Sequence, residues 1–176
     1  MLRPVLHRVV AMPRQLILSN ALFSLRGRVH ISDGAQQPRY EARGELALFS
    51  PTWQLQQGDT VVASVRRRVL SLRPHWQVQM GAMRFALVGR LLSWRRHYCV
   101  VGGRFDGATI TGSLIDRSFV IQHNGVVLAD AKVRWLSLVD AQQVHVHADD
   151  DDSEAFVALA MLVVQPARQV GRRRAP

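Results

Sequence analysis

The stretch that decides the fold is residues 149–164, which read DDDDSEAFVALAMLVV. Four aspartates precede Ser153, a favourable helix N-cap, and Glu154 adds negative charge to the first turn, where the helix dipole stabilises it. The dipeptide Gln165-Pro166 ends the pattern, because proline disfavours a helical backbone in the residue before it. We therefore predict a helix from about Ser153 to Gln165.

The predicted helix has no polar face. Every residue from Ala155 to Val164 is apolar, and a helix that is apolar on all sides has to be buried on all sides. The apolar run is much shorter than the roughly 20 residues that a bilayer span needs. An otherwise all-β chain buries such a helix most simply inside a barrel. A buried final strand is the alternative, but the acidic lead-in and the alanines favour a helix.

Apolar and polar residues alternate along most of the chain before residue 148, as they do in strands with one buried face. Turn pairs such as Asn124-Gly125 separate the alternating runs at hairpin distances. The sequence therefore predicts an all-β barrel of about twelve antiparallel strands enclosing one central apolar C-terminal helix. In the run 127–133, the predicted core residues are Val127, Ala129, Ala131 and Val133.

The alternation fails at the run Arg66–Arg68. Val61, Ala63 and Val65 share one phase, and this phase would place Arg67 in the core. Either the strand ends or bulges at the arginines, or Arg67 points into a polar opening.

Three stretches resemble the LURP-one-related family, which lies within the tubby C-terminal-like and scramblase-like fold group. Phe23–Gly34 resembles the opening strand and its Asp-Gly turn, and Val69–Val78 resembles the stretch where a short strand runs into proline and an aromatic residue. Asp149–Val164 resembles the terminal helix with its lead-in. The likeness extends over Leu16–Val164 and implies the tubby-like fold. These stretches are patterns of apolar spacing and contain no catalytic motif.

The pattern divides the chain into an N-terminal extension (1–15), the barrel domain (16–165) and a basic disordered tail (166–176). A single cysteine, Cys99, excludes an internal disulfide framework and fits a reducing compartment. Residues 1–15 lack the apolar core of a secretory signal, although a transit peptide stays open because no acid precedes Asp33. We expect a cytoplasmic protein that reaches the periphery of the membrane.

The sequence nominates no catalytic, metal or cofactor site. It contains no nucleophile elbow, phosphate-binding glycine loop or zinc-protease motif, so we predict that the protein is not an enzyme. His145, His147 and Asp149 share one strand face, but no distant ligand accompanies them and solvated histidines are the favoured interpretation. The run Asp149–Asp152 lacks the glycine and distal glutamate of a calcium loop, which makes it a capping and solvating segment.

Charge is the most unusual bulk property. The chain has 23 lysines and arginines against 13 acids, and Lys132 is the only lysine. Five of the acids lie in Asp149–Glu154, so we expect a strongly positive field over the remaining surface. Arginine binds phosphates and carboxylates in a planar, bidentate way. Codon bias in a GC-rich genome is the alternative explanation of the arginine excess.

The candidate anion-binding residues are arginines that lie near Trp76 and Trp94 in the sequence. An arginine beside an exposed tryptophan suits anionic lipid headgroups or nucleic acid. The alternative without a ligand is a solvated, arginine-rich surface over tryptophans that are buried in the core. Because the helix fills the barrel, we expect any ligand to bind outside. The candidates are Arg66, Arg67, Arg68, Arg73, Arg90, Arg95 and Arg96.

The resemblance implies lipid headgroups as the ligand, since tubby-like domains bind phosphoinositides. No motif of this sequence maps residue by residue onto a tubby lipid pocket. The scramblase cysteine cluster and proline-rich N-terminus are absent, which argues against lipid scrambling. We predict a non-enzymatic binding or scaffold domain for anionic phospholipid headgroups. The alternatives are a nucleic-acid-binding module that uses the same arginines and an interaction subunit with an acidic protein partner.

Overall fold

The computed structural model describes residues 14–19, 27–45, 52–68, 70–90, 95–113, 118–133 and 141–164. Twelve antiparallel strands close a barrel in sequence order, with β1 paired to both β2 and β12. The fold class predicted from the sequence is confirmed. The elements are β1 Arg14–Ser19, β2 Arg28–Asp33, β3 Pro38–Glu45, β4 Thr52–Gln57, β5 Thr60–Arg67, β6 His75–Met80, β7 Met83–Gly89, β8 Arg95–Val101, β9 Thr109–Ser113, β10 Phe119–His123, β11 Val126–Val133, β12 Ala141–Val146 and α1 Asp151–Val164.

The helix α1 runs through the interior of the barrel. It contacts both β5 and β11, which lie on opposite sides of the ring of strands. Phe156, Leu159 and Met161 are fully buried although they face different directions around the helix. Burying a side chain of this size stabilises the fold by about 1.5–3 kcal/mol. The absence of a polar face in the sequence therefore reflects a helix surrounded by strands on all sides.

The helix begins earlier than predicted, at Asp151. Asp150 is its N-cap, because the Asp150 carboxylate accepts hydrogen bonds from the Ser153 amide at 2.9 Å and from the Ser153 hydroxyl at 2.8 Å. The prediction that Ser153 is the N-cap is wrong. Several consecutive capping residues fit the same preference, and the backbone geometry alone selects among them.

Bulges explain where the predicted alternation fails. Ala129 and Ala131 face the core as predicted, but Val127 is 36% exposed. The pairing of β10 with β11 shifts at this point and skips Leu128, which packs against the core instead. The pairing of β4 with β5 shifts in the same way and leaves Val61 exposed. An extra residue in one strand reverses the inward and outward positions beyond it.

The antiparallel order gives the barrel two distinct ends. We call the end at which α1 begins the helix N-terminal end; it carries the β2–β3, β4–β5, β6–β7, β8–β9 and β10–β11 connections. The opposite end, at which α1 finishes, is the helix C-terminal end. It carries the β1–β2, β3–β4, β5–β6, β7–β8, β9–β10 and β11–β12 connections.

The described residues bear only in part on the predicted domain limits. β1 begins at Arg14, inside the segment predicted to be an extension. Residues 1–13 and the tail 166–176 lie outside the described residues. Within the described part of the chain, no helix has the length and apolar character that a membrane span requires.

Candidate functional site

The strand order brings the seven predicted arginines to one end of the barrel. β5 ends with Arg66 and Arg67, and the β5–β6 connection contains Arg68 and Arg73. Arg90 follows β7, and β8 begins with Arg95-Arg96, of which the structure describes the backbone but not the side chains. Because β5 to β8 are consecutive neighbours, two arginine clusters that are separate in sequence occupy adjacent connections at the helix C-terminal end.

These arginines belong to a longer stretch of uniform charge. From Thr60 to Val101 the sequence contains eight arginines and no acid. This stretch forms β5, β6, β7 and β8, four adjacent strands of the twelve. We call these four strands and the connections between them the basic face. A wall of one charge sign attracts anions from a distance and raises their local concentration.

The end of β5 resolves the alternatives left open for Arg67. The strand ends at this residue, and its side chain is exposed at the end of the barrel. Arg67 pairs with Trp76 across β5 and β6, and the Arg67 guanidinium lies 5.8 Å from the centre of the Trp76 ring. A cation and a ring at this distance attract each other by about 0.5–1 kcal/mol.

Trp76 itself is half-buried and packs against the core. One side of the Trp76 ring thus contacts the core while Arg67 packs against the ring. The sequence left open an exposed tryptophan or a fully buried one, and Trp76 is neither. Trp94, the other tryptophan of the predicted surface, lies outside the described residues.

The outer wall of the basic face contains a shallow groove of about 500 Å³. Its polar lining comes from alternate, outward-facing residues of β5, β6 and β7. Arg84 Nε donates to Gln79 Oε1 at 2.7 Å, and Gln79 in turn donates to the Gly81 carbonyl at 2.6 Å. These bonds fix the Arg84 guanidinium beside the groove. The polar residues that line it are Ser64, Arg66, His75, Gln77, Gln79 and Arg84.

The helix N-terminal end contains a carboxylate site that sequence reasoning missed. The Glu154 side chain is only 2% exposed and accepts hydrogen bonds from Arg39 Nε at 2.6 Å, Arg14 Nη1 at 2.8 Å and Tyr40 Oη at 3.0 Å. Burial raises the pKa of Glu154, but the hydrogen bonds from Arg39, Arg14 and Tyr40 outweigh burial and hold the pKa below its ordinary value. Glu154 is therefore ionised and fixes the start of α1 to β1 and β3.

The signal for this carboxylate site was weak but present. Glu154 is a charged residue immediately before a helix segment that is apolar on every side, so its own side chain also has to enter the barrel. Its partners come from strands far away in sequence, and no local pattern identifies them. Burial and the nearby Glu154 charge also raise the pKa of Tyr40, so the Tyr40 hydroxyl stays protonated and donates a hydrogen bond to Glu154.

Asp150, Asp151 and Asp152 at this end form ion pairs as well. Arg104 Nη1 lies 3.1 Å from Asp150 and 3.2 Å from Asp152. Arg14 Nη1 lies 2.8 Å from Asp151. Arginines at the helix N-terminal end therefore neutralise carboxylates of the same chain, whereas Arg68, Arg73 and Arg90 have no ion pair with another described residue.

His147, which follows β12, has a cross-strand partner. His147 Nε2 lies 2.6 Å from Asp130 Oδ1 on β11. Within the described residues, no group of three or more histidine, cysteine, aspartate or glutamate side chains has the arrangement of a metal site. His147 thus serves in a cross-strand contact between β11 and the segment after β12.

Comparison with known proteins agrees with this architecture. The X-ray structure of an Arabidopsis thaliana protein aligns with a TM-score of 0.56 and 16% sequence identity, over 88% of this chain and 91% of that one. At this identity the match shows the fold alone. A search of curated proteins gave no match. The family model for LURP-one-related proteins matches residues 14–164, which is the whole barrel with its helix. The chain belongs to the LURP-one-related family.

Proposed function

We propose that this protein is a non-enzymatic binding or scaffold domain whose basic face binds the headgroups of anionic phospholipids. The observation that carries the proposal is the acid-free stretch Thr60–Val101, whose eight arginines are brought together on four adjacent strands and the connections between them. Each basic residue close to an anionic bilayer contributes about 1 kcal/mol of attraction. Several arginines that reach one plane together are enough to hold a small domain at the membrane.

The distribution of acids gives the bound protein an orientation. The aspartates at 149–152 lie at the helix N-terminal end and would be repelled by an anionic surface. The exposed arginines of the β5–β6 and β7–β8 connections lie at the opposite end. The protein therefore meets the bilayer with its helix C-terminal end, and the groove extends along the wall from Arg66 near that end towards Arg84.

Family membership supports the non-enzymatic part of the proposal, because the tubby-like domain of LURP-one-related proteins is a binding fold. The location that follows is the cytoplasmic periphery of a membrane with anionic lipid. If the organism lacks phosphoinositides, the ligand is the generic anionic headgroup, since the arginines of the basic face require only phosphate or carboxylate.

Flotation and gel-shift experiments across a salt series test the proposal. The protein is floated with vesicles of phosphatidylcholine alone and with equimolar phosphatidylcholine and phosphatidylserine, and gel shifts are run with DNA and RNA. We expect retention by the serine-containing vesicles at about 0.15 M salt, where exposed charges are screened beyond about 8 Å. Retention by nucleic acid alone would assign the arginines to the nucleic-acid alternative. Loss of both interactions would leave the acidic protein partner and overturn the lipid proposal.

A matched pair of variants locates the binding surface. Arg68→Gln with Arg73→Gln removes two charges from the basic face. Arg28→Gln with Arg43→Gln removes two charges outside it, at the same end of the barrel, where both arginines already pair with Glu41. We expect the first pair to lower vesicle binding by about tenfold or more and the second to have a much smaller effect. Equal effects would mean that net charge, and not the basic face, determines binding.

A further inference from the structure

Two leucines of the β5–β6 connection are fully exposed. Leu70 has 102% and Leu72 has 92% of its surface accessible, whereas the other large apolar residues on the described surface are valines between 36% and 62% exposed. A lone exposed leucine needs no explanation. Two of them at one loop tip, both without contact to the core, present a small apolar surface directed away from the barrel.

The base of this connection is fixed. The Arg68 amide donates to the His75 carbonyl at 2.9 Å, and the Gly89 amide donates to the Pro74 carbonyl at 2.7 Å. Gly89 has no side chain at the point where a β-carbon would lie 2.9 Å from Pro74 Cβ, so the connection packs directly on the end of β7. The leucines therefore project from an anchored turn.

Arginines flank the leucines on both sides. Arg67 and Arg68 precede Leu70, and Arg73 follows Leu72; all three arginine side chains are exposed. A segment that carries aliphatic side chains between arginines is typical of elements that lie in the interface of an anionic bilayer, with the apolar residues about 5–10 Å below the headgroups. Arginine also covers apolar surface with its methylenes while its head stays at the phosphates.

We propose that the β5–β6 connection is a membrane-insertion loop, in which Leu70 and Leu72 enter the acyl boundary while Arg67, Arg68 and Arg73 contact lipid phosphates. This inference rests on the proposed function and adds to it a mode of binding. Charge complementarity favours an anionic bilayer as the partner of these leucines. They lie within the acid-free stretch and at the end of the barrel where the exposed arginines of the basic face are found.

The test compares two double variants that change equal numbers of exposed apolar residues. Leu70→Ser with Leu72→Ser removes the proposed insertion residues. Val126→Ser with Val127→Ser is the control at the β10–β11 connection, on the opposite end of the barrel. We expect the leucine variant to bind equimolar phosphatidylcholine and phosphatidylserine vesicles about tenfold or more weakly than the unmodified protein. The valine variant should bind within about twofold of it. Since both leucines are exposed, the leucine variant should melt at the temperature of the unmodified protein.

A second measurement reports the depth of the loop. Leu72→Cys in a Cys99→Ser background is labelled with an environment-sensitive fluorophore and mixed with the same vesicles. We expect a blue shift and quenching by lipids that carry a nitroxide on the acyl chain. An unshifted spectrum in vesicle-bound protein would overturn insertion.

The outcomes separate this inference from the function on which it rests. If the leucine variant binds vesicles as tightly as the unmodified protein, binding depends on charge alone, so insertion is wrong and the lipid proposal stands. If the unmodified protein does not bind anionic vesicles, both proposals fail. Self-association without vesicles that the leucine variant abolishes would assign the leucines to a second copy of the chain and would also overturn insertion.

Discussion

At the end of the barrel where α1 begins, Arg14, Arg39 and Arg104 contact carboxylates of their own chain; at the end where α1 finishes, the arginines of the β5–β6 connection flank two exposed leucines. Arg14 and Arg39 hold the buried Glu154, and Arg104 lies against two aspartates. Arg68 and Arg73 have no such partner among the described residues. The same side chain thus stabilises the fold at one end and is available to an external anion at the other.

This difference between the two ends shows that net charge alone does not indicate how many arginines can bind a partner. The formal charge of +10 includes arginines that are already neutralised by the acidic lead-in of α1. What remains for a partner is the local excess on the basic face. Variants at the two ends should therefore have opposite signatures, with changes in stability at the helix N-terminal end and changes in binding at the helix C-terminal end.

The largest expected effect comes from the helix that joins the two ends. Leu159 is 0% exposed inside the barrel, and Leu159→Asp should abolish folding, because an unpaired carboxylate there costs several kcal/mol. The measurement is thermal unfolding followed by circular dichroism, with Leu159→Ala as a milder variant that costs about 2–5 kcal/mol. A soluble, cooperatively melting Leu159→Asp protein would mean that α1 lies outside the barrel.

The next effect concerns the buried carboxylate. Glu154→Ala removes the acceptor of Arg14, Arg39 and Tyr40 and should lower the free energy of unfolding by about 1–3 kcal/mol. The two arginines are partly exposed, so water compensates some of the loss. The control is Asp151→Asn, whose side chain is 78% exposed and which should change stability by less than about 1 kcal/mol. Urea denaturation measures both variants, and equal values would show that Glu154 does not anchor the helix.

The pH dependence of stability follows from the same site. Because the folded-state pKa of Glu154 is lowered, its stabilising contribution is present above the pKa of the unfolded chain. It is lost as the pH falls through the folded-state pKa. The unmodified protein should therefore lose stability below about pH 5, and Glu154→Gln should lose less over the same range. Urea midpoints measured as a function of pH give the comparison, and parallel curves would contradict it.

A smaller effect separates the ends by binding. Arg66, Arg67 and Arg68 at the helix C-terminal end, changed together to glutamate, should abolish retention by anionic vesicles and lower the free energy of unfolding by only about 1 kcal/mol, which includes the Arg67–Trp76 contact. Surface charges of this kind contribute little to stability. Arg104→Glu at the other end should have the reverse profile, with lower stability and unchanged binding per folded molecule. Flotation and calorimetry on both variants measure the contrast.

Much of the fold could be predicted because one local feature determined it. A helix without a polar face, next to alternating strands, has few ways to be buried, and the barrel follows. The ends of the elements and the inward or outward direction of single residues were predicted less well. The helix starts at Asp151 and not at Ser153, and a bulge turns Val127 outward. Both depend on hydrogen bonds and strand register that the residue pattern does not encode.

The candidate site was predictable only as a set of residues. Runs such as Arg66–Arg68 are visible in the sequence, but their convergence with Arg90 depends on the ends of β5 and β7, which have only β6 between them in the barrel. The hydrogen bonds to Glu154 from Arg14 and Arg39 connect residues more than a hundred positions apart. Such partners are brought together by topology, and local periodicity carries no information about them.

Our central proposal is that arginines bind carboxylates of the same chain at the helix N-terminal end and an anionic bilayer at the helix C-terminal end. Hydrogen–deuterium exchange with and without anionic vesicles tests it most directly. We predict slower exchange on vesicle binding in the β5–β6 and β7–β8 connections and no change in the β8–β9 connection or the start of α1. Slower exchange at the start of α1, with the β5–β6 connection unchanged, would contradict it.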